Sequence, residues 1–287
     1  MRTRTVSLAA IAALGFASPA LANDYVGQLE LGAGWASIDD VNNNTDLADD
    51  SFFLIEGAAR GNIPLGDYAA LQLDAGGLGT FAEPDGSADD YLKTAFYGAG
   101  HLNYRTSDYA LGALVHLGSS NGGENQNANF YNFGAEGLFN FDNFTGIGQA
   151  GYFWANDETA DDVMTEAWWF RAVARFYAGD DTRFQAEGSY ADGEERNDGH
   201  DDTVIGWGAR IDHAINGGPV AVFVGYKGMN LENDAAPKEL TDHTVSIGFN
   251  LHFGAGSLRE ADRNGPSFDT PDVGRWTGWT TDTVAGF

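Results

Sequence analysis

The chain has no cysteine among its 287 residues, which excludes disulfides, thiolate metal sites and thiol nucleophiles. Proline is scarce, at 7 residues, so long extended ladders can run without the gaps that a missing N–H would leave. Basic residues are few: 15 Lys and Arg face 42 Asp and Glu, a formal charge of −27. Phosphate binding needs basic patches, so nucleic acid is excluded as a natural partner. Beyond the first two dozen residues, no apolar run is long enough to cross a bilayer as a helix.

What is abundant points the other way. Glycine (39), Phe (19), Tyr (11) and Trp (7) suit packed β-strands with interfacial rings and disfavour helices. Arg2 and Arg4, the apolar stretch 6–16 and Ala20-Leu21-Ala22 have the layout of a secretory signal peptide. Residues 1–22 are therefore expected to be removed, with cleavage after Ala22; the apolar stretch falls well short of the roughly 20 residues of a spanning helix.

Period-two alternation recurs from Tyr25 to Phe253. It predicts twelve strands, near 25–36, 51–63, 68–79, 91–105, 109–118, 129–141, 144–156, 164–177, 182–191, 203–213, 219–231 and 242–253. Connections alternate between short (PLGD, TSD, DN, AGDD, NGGP) and long, polar and acidic (SIDDVNNNTDLADD, DGEERNDGHDD). An even-stranded antiparallel barrel whose ends face different compartments gives this rhythm, with short periplasmic turns and long external loops. The fold class expected is all-β: one antiparallel up-and-down transmembrane barrel of about 12 strands. A sheet can span lipid only when closed, because an open edge leaves backbone groups unpaired. Tyr25, Trp35, Tyr104, Tyr109, Phe141, Phe144, Trp154 and Phe176 fall near strand ends, where aromatic girdles belong.

The closing stretch HTVSIGFNLHF puts Val245, Ile247, Phe249, Leu251 and Phe253 on one face. It resembles the final strand of Gram-negative outer-membrane β-barrels of the porin-like class, whose alternating residues ending in an aromatic are read by the barrel-assembly machinery. The resemblance spans 23–253 as an architecture and implies an outer-membrane location facing lipid and lipopolysaccharide. Residues 254–287 depart from it: rich in Gly and Pro and without alternation, they are expected to form an irregular tail on the periplasmic side. Phe268, Trp276 and Trp279 are the candidates to anchor that tail at the barrel mouth.

Alternation turns Glu30, Glu56, Arg60, Asp74, Lys93, Glu136, Arg171, Arg175, Glu187, Arg210 and Lys227 inward. Such a mixed-charge lumen fits two roles: a pore for small polar or charged solutes filtered by opposed charges, or a network that pairs off and blocks passage, in a non-conducting barrel with a structural or surface-interaction role through its acidic loops. Twelve strands lie between the filled eight-stranded and the water-filled sixteen-stranded case. Arg171 and Arg175, four residues apart on one inner face, are expected to have most influence.

No cofactor is expected. Asp40-x-Asn42-x-Asn44 begins like a calcium loop, but Thr45 replaces the glycine and Ser51 the bidentate glutamate, so no metal site is assigned. The acidic loops are read as solvated surfaces that divalent cations could bridge to lipopolysaccharide phosphates. His116 with Ser119 and Ser120, and Ser246 with His252, are read as lumen or loop residues, and the chain as a non-enzyme. The sequence leaves the oligomeric state and the solute open.

Overall fold

In the computed structural model the described residues are 25–40, 50–81, 94–121, 127–156, 164–195, 201–234 and 238–276. The segment expected as a signal peptide, Lys93, most of the long loops, Trp279 and the calcium-like segment 41–45 lie outside them.

Twelve strands close into one barrel: β1 (Val26–Asp40), β2 (Asp50–Pro64), β3 (Ala69–Phe81), β4 (Thr94–Arg105), β5 (Tyr109–Asn121), β6 (Asn127–Phe141), β7 (Phe144–Asn156), β8 (Met164–Tyr177), β9 (Thr182–Glu195), β10 (Asp201–Ala214), β11 (Val220–Asn233) and β12 (Lys238–Phe253). Each pairs antiparallel with its chain neighbours, and β1 pairs with β12. Strands of 12 to 16 residues exceed the ~9–11 that a tilted span requires. Several run further toward the long loops than alternation alone indicated, because polar residues such as those of Gly118–Asn121 continue the ladder.

The pleat sorts side chains between the two faces. On β8, Trp168 is 62% exposed on the outer wall while Trp169, next to it, is fully buried inside. Val115, Leu117, Phe133, Phe170 and Ile247 are likewise exposed outward, giving an apolar belt. Rings pair at both rims: Tyr68 on Tyr104 and Tyr104 on Tyr109 at the short-turn end, Tyr131 on Trp154 and Tyr152 on Trp168 at the long-loop end. Amphipathic rings favour that interfacial depth.

On the closing strand, Val245, Ile247, Phe249 and Leu251 face outward and are exposed. Phe253 opposes Gly27, and its ring stacks on Tyr25 at 6.0 Å. A Cβ at residue 27 would come within 2.1 Å of the Phe253 ring and force it aside. The next residue reverses the chain. Gly254 has φ +81°, and a Cβ on it would lie 2.1 Å from the Tyr25 carbonyl oxygen.

Residues 277–287 lie outside the described residues; for 254–276 this reversal corrects the expectation of an irregular segment on the periplasmic side. Two short helices, α1 (Leu258–Asn264) and α2 (Val273–Trp276), form in it, and the chain between them enters the barrel. Ser257 caps α1 by accepting from the Glu260 N–H at 3.1 Å, while the Glu260 carboxylate accepts from the Gly256 N–H at 2.8 Å. Arg259 and Arg263 tie α1 to the short turns: Arg259 reaches Asn143 and Asp180, and Arg263 donates to the Asp142 carbonyl. Burial inside the cylinder, beside inward charges that need partners, explains why a stretch without periodicity is ordered.

Candidate functional site: the occupied lumen

The tail divides the lumen into two zones along its axis. In the half nearer the short turns, arginines from the wall meet carboxylates of the tail. Arg175 donates to Asp262 at 2.6 Å and to Asp269 at 2.6 Å. Arg60 reaches the other oxygen of Asp269 at 2.6 Å, and Arg171 lies 3.5 Å from it. Asp262 also takes Arg183 at 3.2 Å and the Tyr177 hydroxyl. Arg183 continues to Asp212, which Arg210 shares with Glu30. A buried charge is costly unless paired and hydrogen-bonded, and this lattice leaves few gaps.

Backbone groups of the tail are matched as closely. Gln72 donates to the Phe268 carbonyl at 2.7 Å and accepts from its N–H at 3.2 Å; Gln149 donates to the Asp269 carbonyl at 2.8 Å. Arg105 holds the Gly265 carbonyl and the Ser267 hydroxyl. Below them His101 lies between Glu136 (2.9 Å) and Asp74 (3.4 Å), its ring stacked on Phe268 at 6.1 Å.

Toward the long loops the wall turns apolar. Trp276 packs edge-on to Phe153 at 5.8 Å and tilted to Trp169 at 6.5 Å. Leu54, Leu114, Phe130 and Met229 belong to the same buried cluster, joined by Val273 from the tail. At its margin Arg275 reaches Asp242 at 3.2 Å.

Between the zones, three small clefts flank the tail, of about 110, 100 and 40 Å³. All three touch Lys227 and Asp272. These two pair at 3.3 Å and are 43% and 40% exposed, so this side of the tail is wet. Each cleft has room for a few waters and falls well below the roughly 300–1,000 Å³ of a small-molecule site.

Of the residues expected to line the lumen, all but Lys93, which lies outside the described residues, take part. Arg60, Arg171 and Arg175 converge on Asp269; Arg171 also holds Glu187 at 2.5 Å; Arg210 grips Glu30; Asp74 and Glu136 flank His101; Lys227 meets Asp272; Glu56 lines the two larger clefts. Arg105, Arg183 and Asp212, which the same alternation turns inward, belong to the network as well. Asp262, Asp269, Asp272 and Arg275 carry no periodic signal; the capping pattern Ser257-x-x-Glu260 was the one local hint of order there. The string Gly118-x-Ser120-x-Gly122 has the spacing of a nucleophile elbow without its setting. Ser120 is buried within β5, whereas a nucleophile elbow needs a strand-to-helix turn.

No family model matches the chain, and no curated protein matches it in sequence. Among solved structures, an outer-membrane channel from Pseudomonas putida F1 superposes with a TM-score of 0.54 at 15% identity, covering 82% of this chain and 97% of that one. The KdgM porin in complex with disordered oligogalacturonate gives a TM-score of 0.43 at 8% identity, covering 77% and 99%. At 15% identity the likeness to the Pseudomonas channel is one of fold. The chain is a closed, twelve-stranded outer-membrane-type β-barrel whose lumen is occupied by its own C-terminal segment.

Proposed function

We propose that this protein is an outer-membrane channel for small polar or charged solutes, held nearly shut by residues 257–276. The observation that carries this reading is the set of wet, charge-lined clefts beside the tail, which meet at Lys227 and Asp272. Opposed charges along them give a transverse field that favours polar over apolar solutes. Passage of anything larger than water requires the tail to move. The docking contacts are ionic and hydrogen-bonded rather than covalent, so the tail can shift without unfolding the wall. The mixed sign of the lumen fits weak, multi-site contact with a solute rather than tight capture. Export through the segment 1–22, outer-membrane residence and contact with lipopolysaccharide belong to the same proposal.

A second reading has an observation of its own. The buried Arg175–Asp262 and Arg175–Asp269 pairs look like permanent filling, as in a barrel that serves only as envelope structure. Planar-bilayer recording separates the two. The full chain should give small or intermittent steps, and Asp262→Ala/Asp269→Ala, which loosens the tail, should give clearly larger ones. Silence from both forms would leave the closed barrel standing.

A further inference from the structure

The segment that fills the ionic half of the lumen presents a particular chemistry to the wall. The ring of Phe268 is fully buried against Ala110, Leu138, Ile147 and Val173, with the His101 imidazole parallel to it at an interplanar angle of 7°. The very next residue, Asp269, puts a carboxylate among Arg60, Arg171 and Arg175. A planar apolar slot and a triple-guanidinium clamp thus lie one residue apart. An arginine fork suits a carboxylate geometrically as well as electrostatically, and a flat ring between aliphatic walls and an imidazole gains both burial and stacking.

We propose that this seat is a binding site for aryl-alkyl carboxylates, and that Phe268–Asp269 occupies it as a tethered surrogate. The inference rests on the channel reading and deepens it by naming a solute class. The wall supplies every recognition element: the ring slot comes from β4 to β8, the clamp from β2 and β8. Neither half of the ligand suffices by itself. A bare carboxylate leaves the slot empty, and an uncharged ring takes from Arg60 its carboxylate partner and leaves Arg171 and Arg175 with Glu187 and Asp262 alone. A cation is repelled by the clamp.

The tether sets the strength. A short intramolecular segment competes at an effective concentration on the order of millimolar, so a free solute has to reach that range to displace it. Weak occupancy of this kind is what conduction needs, since a solute that binds tightly does not leave. Displacement of Phe268–Asp269 would also withdraw the chain between α1 and α2 from the axis, so that the solute opens its own path.

The test is binding to the purified full chain in detergent, followed by ligand-observed NMR with three probes. These are 3-phenylpropionate (ring and carboxylate), propionate (carboxylate only) and 2-phenylethanol (ring only). The wild-type chain should bind 3-phenylpropionate about tenfold more tightly than either control. Phe268→Ala/Asp269→Ala removes the surrogate and leaves the wall intact; it should tighten 3-phenylpropionate by a further tenfold or so and leave the controls nearly unchanged. Adding Arg60→Gln to that double variant removes one arm of the clamp with no tethered carboxylate to offset it, and should weaken 3-phenylpropionate several-fold. Equal binding of all three probes by the wild-type chain overturns the seat, and so does a double variant that gains nothing. If the double variant fails to fold, the selectivity of the wild-type chain among the three probes still decides. Binding without any bilayer current would retain the seat and reject the channel; current without selective binding would do the reverse.

Discussion

The two halves of the lumen hold the same segment by different physics. Near the short turns, Asp262 and Asp269 are clamped by guanidinium groups at 2.6 Å, and every partner has a required direction. Near the long loops, Trp276 and Val273 sit in a greasy cluster where contact area matters and orientation matters less. The ionic half therefore sets the register of the tail, since a shift of one residue would put Phe268 among the arginines. The apolar half contributes adhesion that tolerates small slips. It also places a low-dielectric collar above the ion pairs, which strengthens them.

The most damaging way to break this division is Arg175→Ala. Arg175 is almost fully buried and bridges both carboxylates, so its loss strands charges without water. Docking of the tail should weaken by roughly 3–5 kcal/mol, read as rapid trypsin cleavage after Arg259 and Arg263 in an otherwise intact barrel. Cleavage no faster than in the wild-type chain would mean that the apolar half holds the tail unaided.

Trp276→Ala attacks the other half. Truncating a buried aromatic costs about 3–5 kcal/mol, and the lower end applies here because Met164 and Met229 can repack into the space. The cleavage pattern should differ from that of Arg175→Ala: exposure confined to Arg275, with Arg259 and Arg263 still protected by α1 and its contacts to the short turns. Simultaneous exposure of all three sites would show that the halves unlatch as one unit.

Acid gives the smallest effect. Burial alone would raise the Asp269 carboxyl, but Arg175, Arg60, Arg171 and Arg183 more than offset it and hold the group well below the usual carboxylate range. Lys227 and Arg275 lower Asp272 in the same way, again against the effect of burial. A carboxyl depressed in the folded state contributes stability that is complete above its unfolded value, near 4, and is lost as pH falls through the folded one. As far as these two carboxyls hold the tail, its protection should not change down to about pH 4 and should fall in stronger acid. A midpoint near neutrality would assign the hold to some other group.

How far these features could be read in advance differs from residue to residue. Alternation alone sorted Trp168 and Trp169 to opposite faces and put Arg171 and Arg175 on the same inner face, because a pleated strand lets position along the chain dictate face. The same rule turns Arg183 and Asp212 inward, where they stand opposite each other on the neighbouring strands β9 and β10 and pair at 3.0 Å. Nothing in the periodicity of β8 says that Arg175 will meet Asp262 rather than a carboxylate of the opposite wall. A strand pattern gives direction; it gives no partner.

The amino-acid sequence determined the cylinder: the number of strands, their order, the apolar outside and the charged inside all follow from side-chain alternation and from the need to pair every backbone group in lipid. The tertiary structure alone decided what fills that cylinder. Residues 257–276 acquire a conformation because inward guanidinium groups and a half-ring of aromatic side chains, drawn from most of the strands, come together only once the barrel has closed.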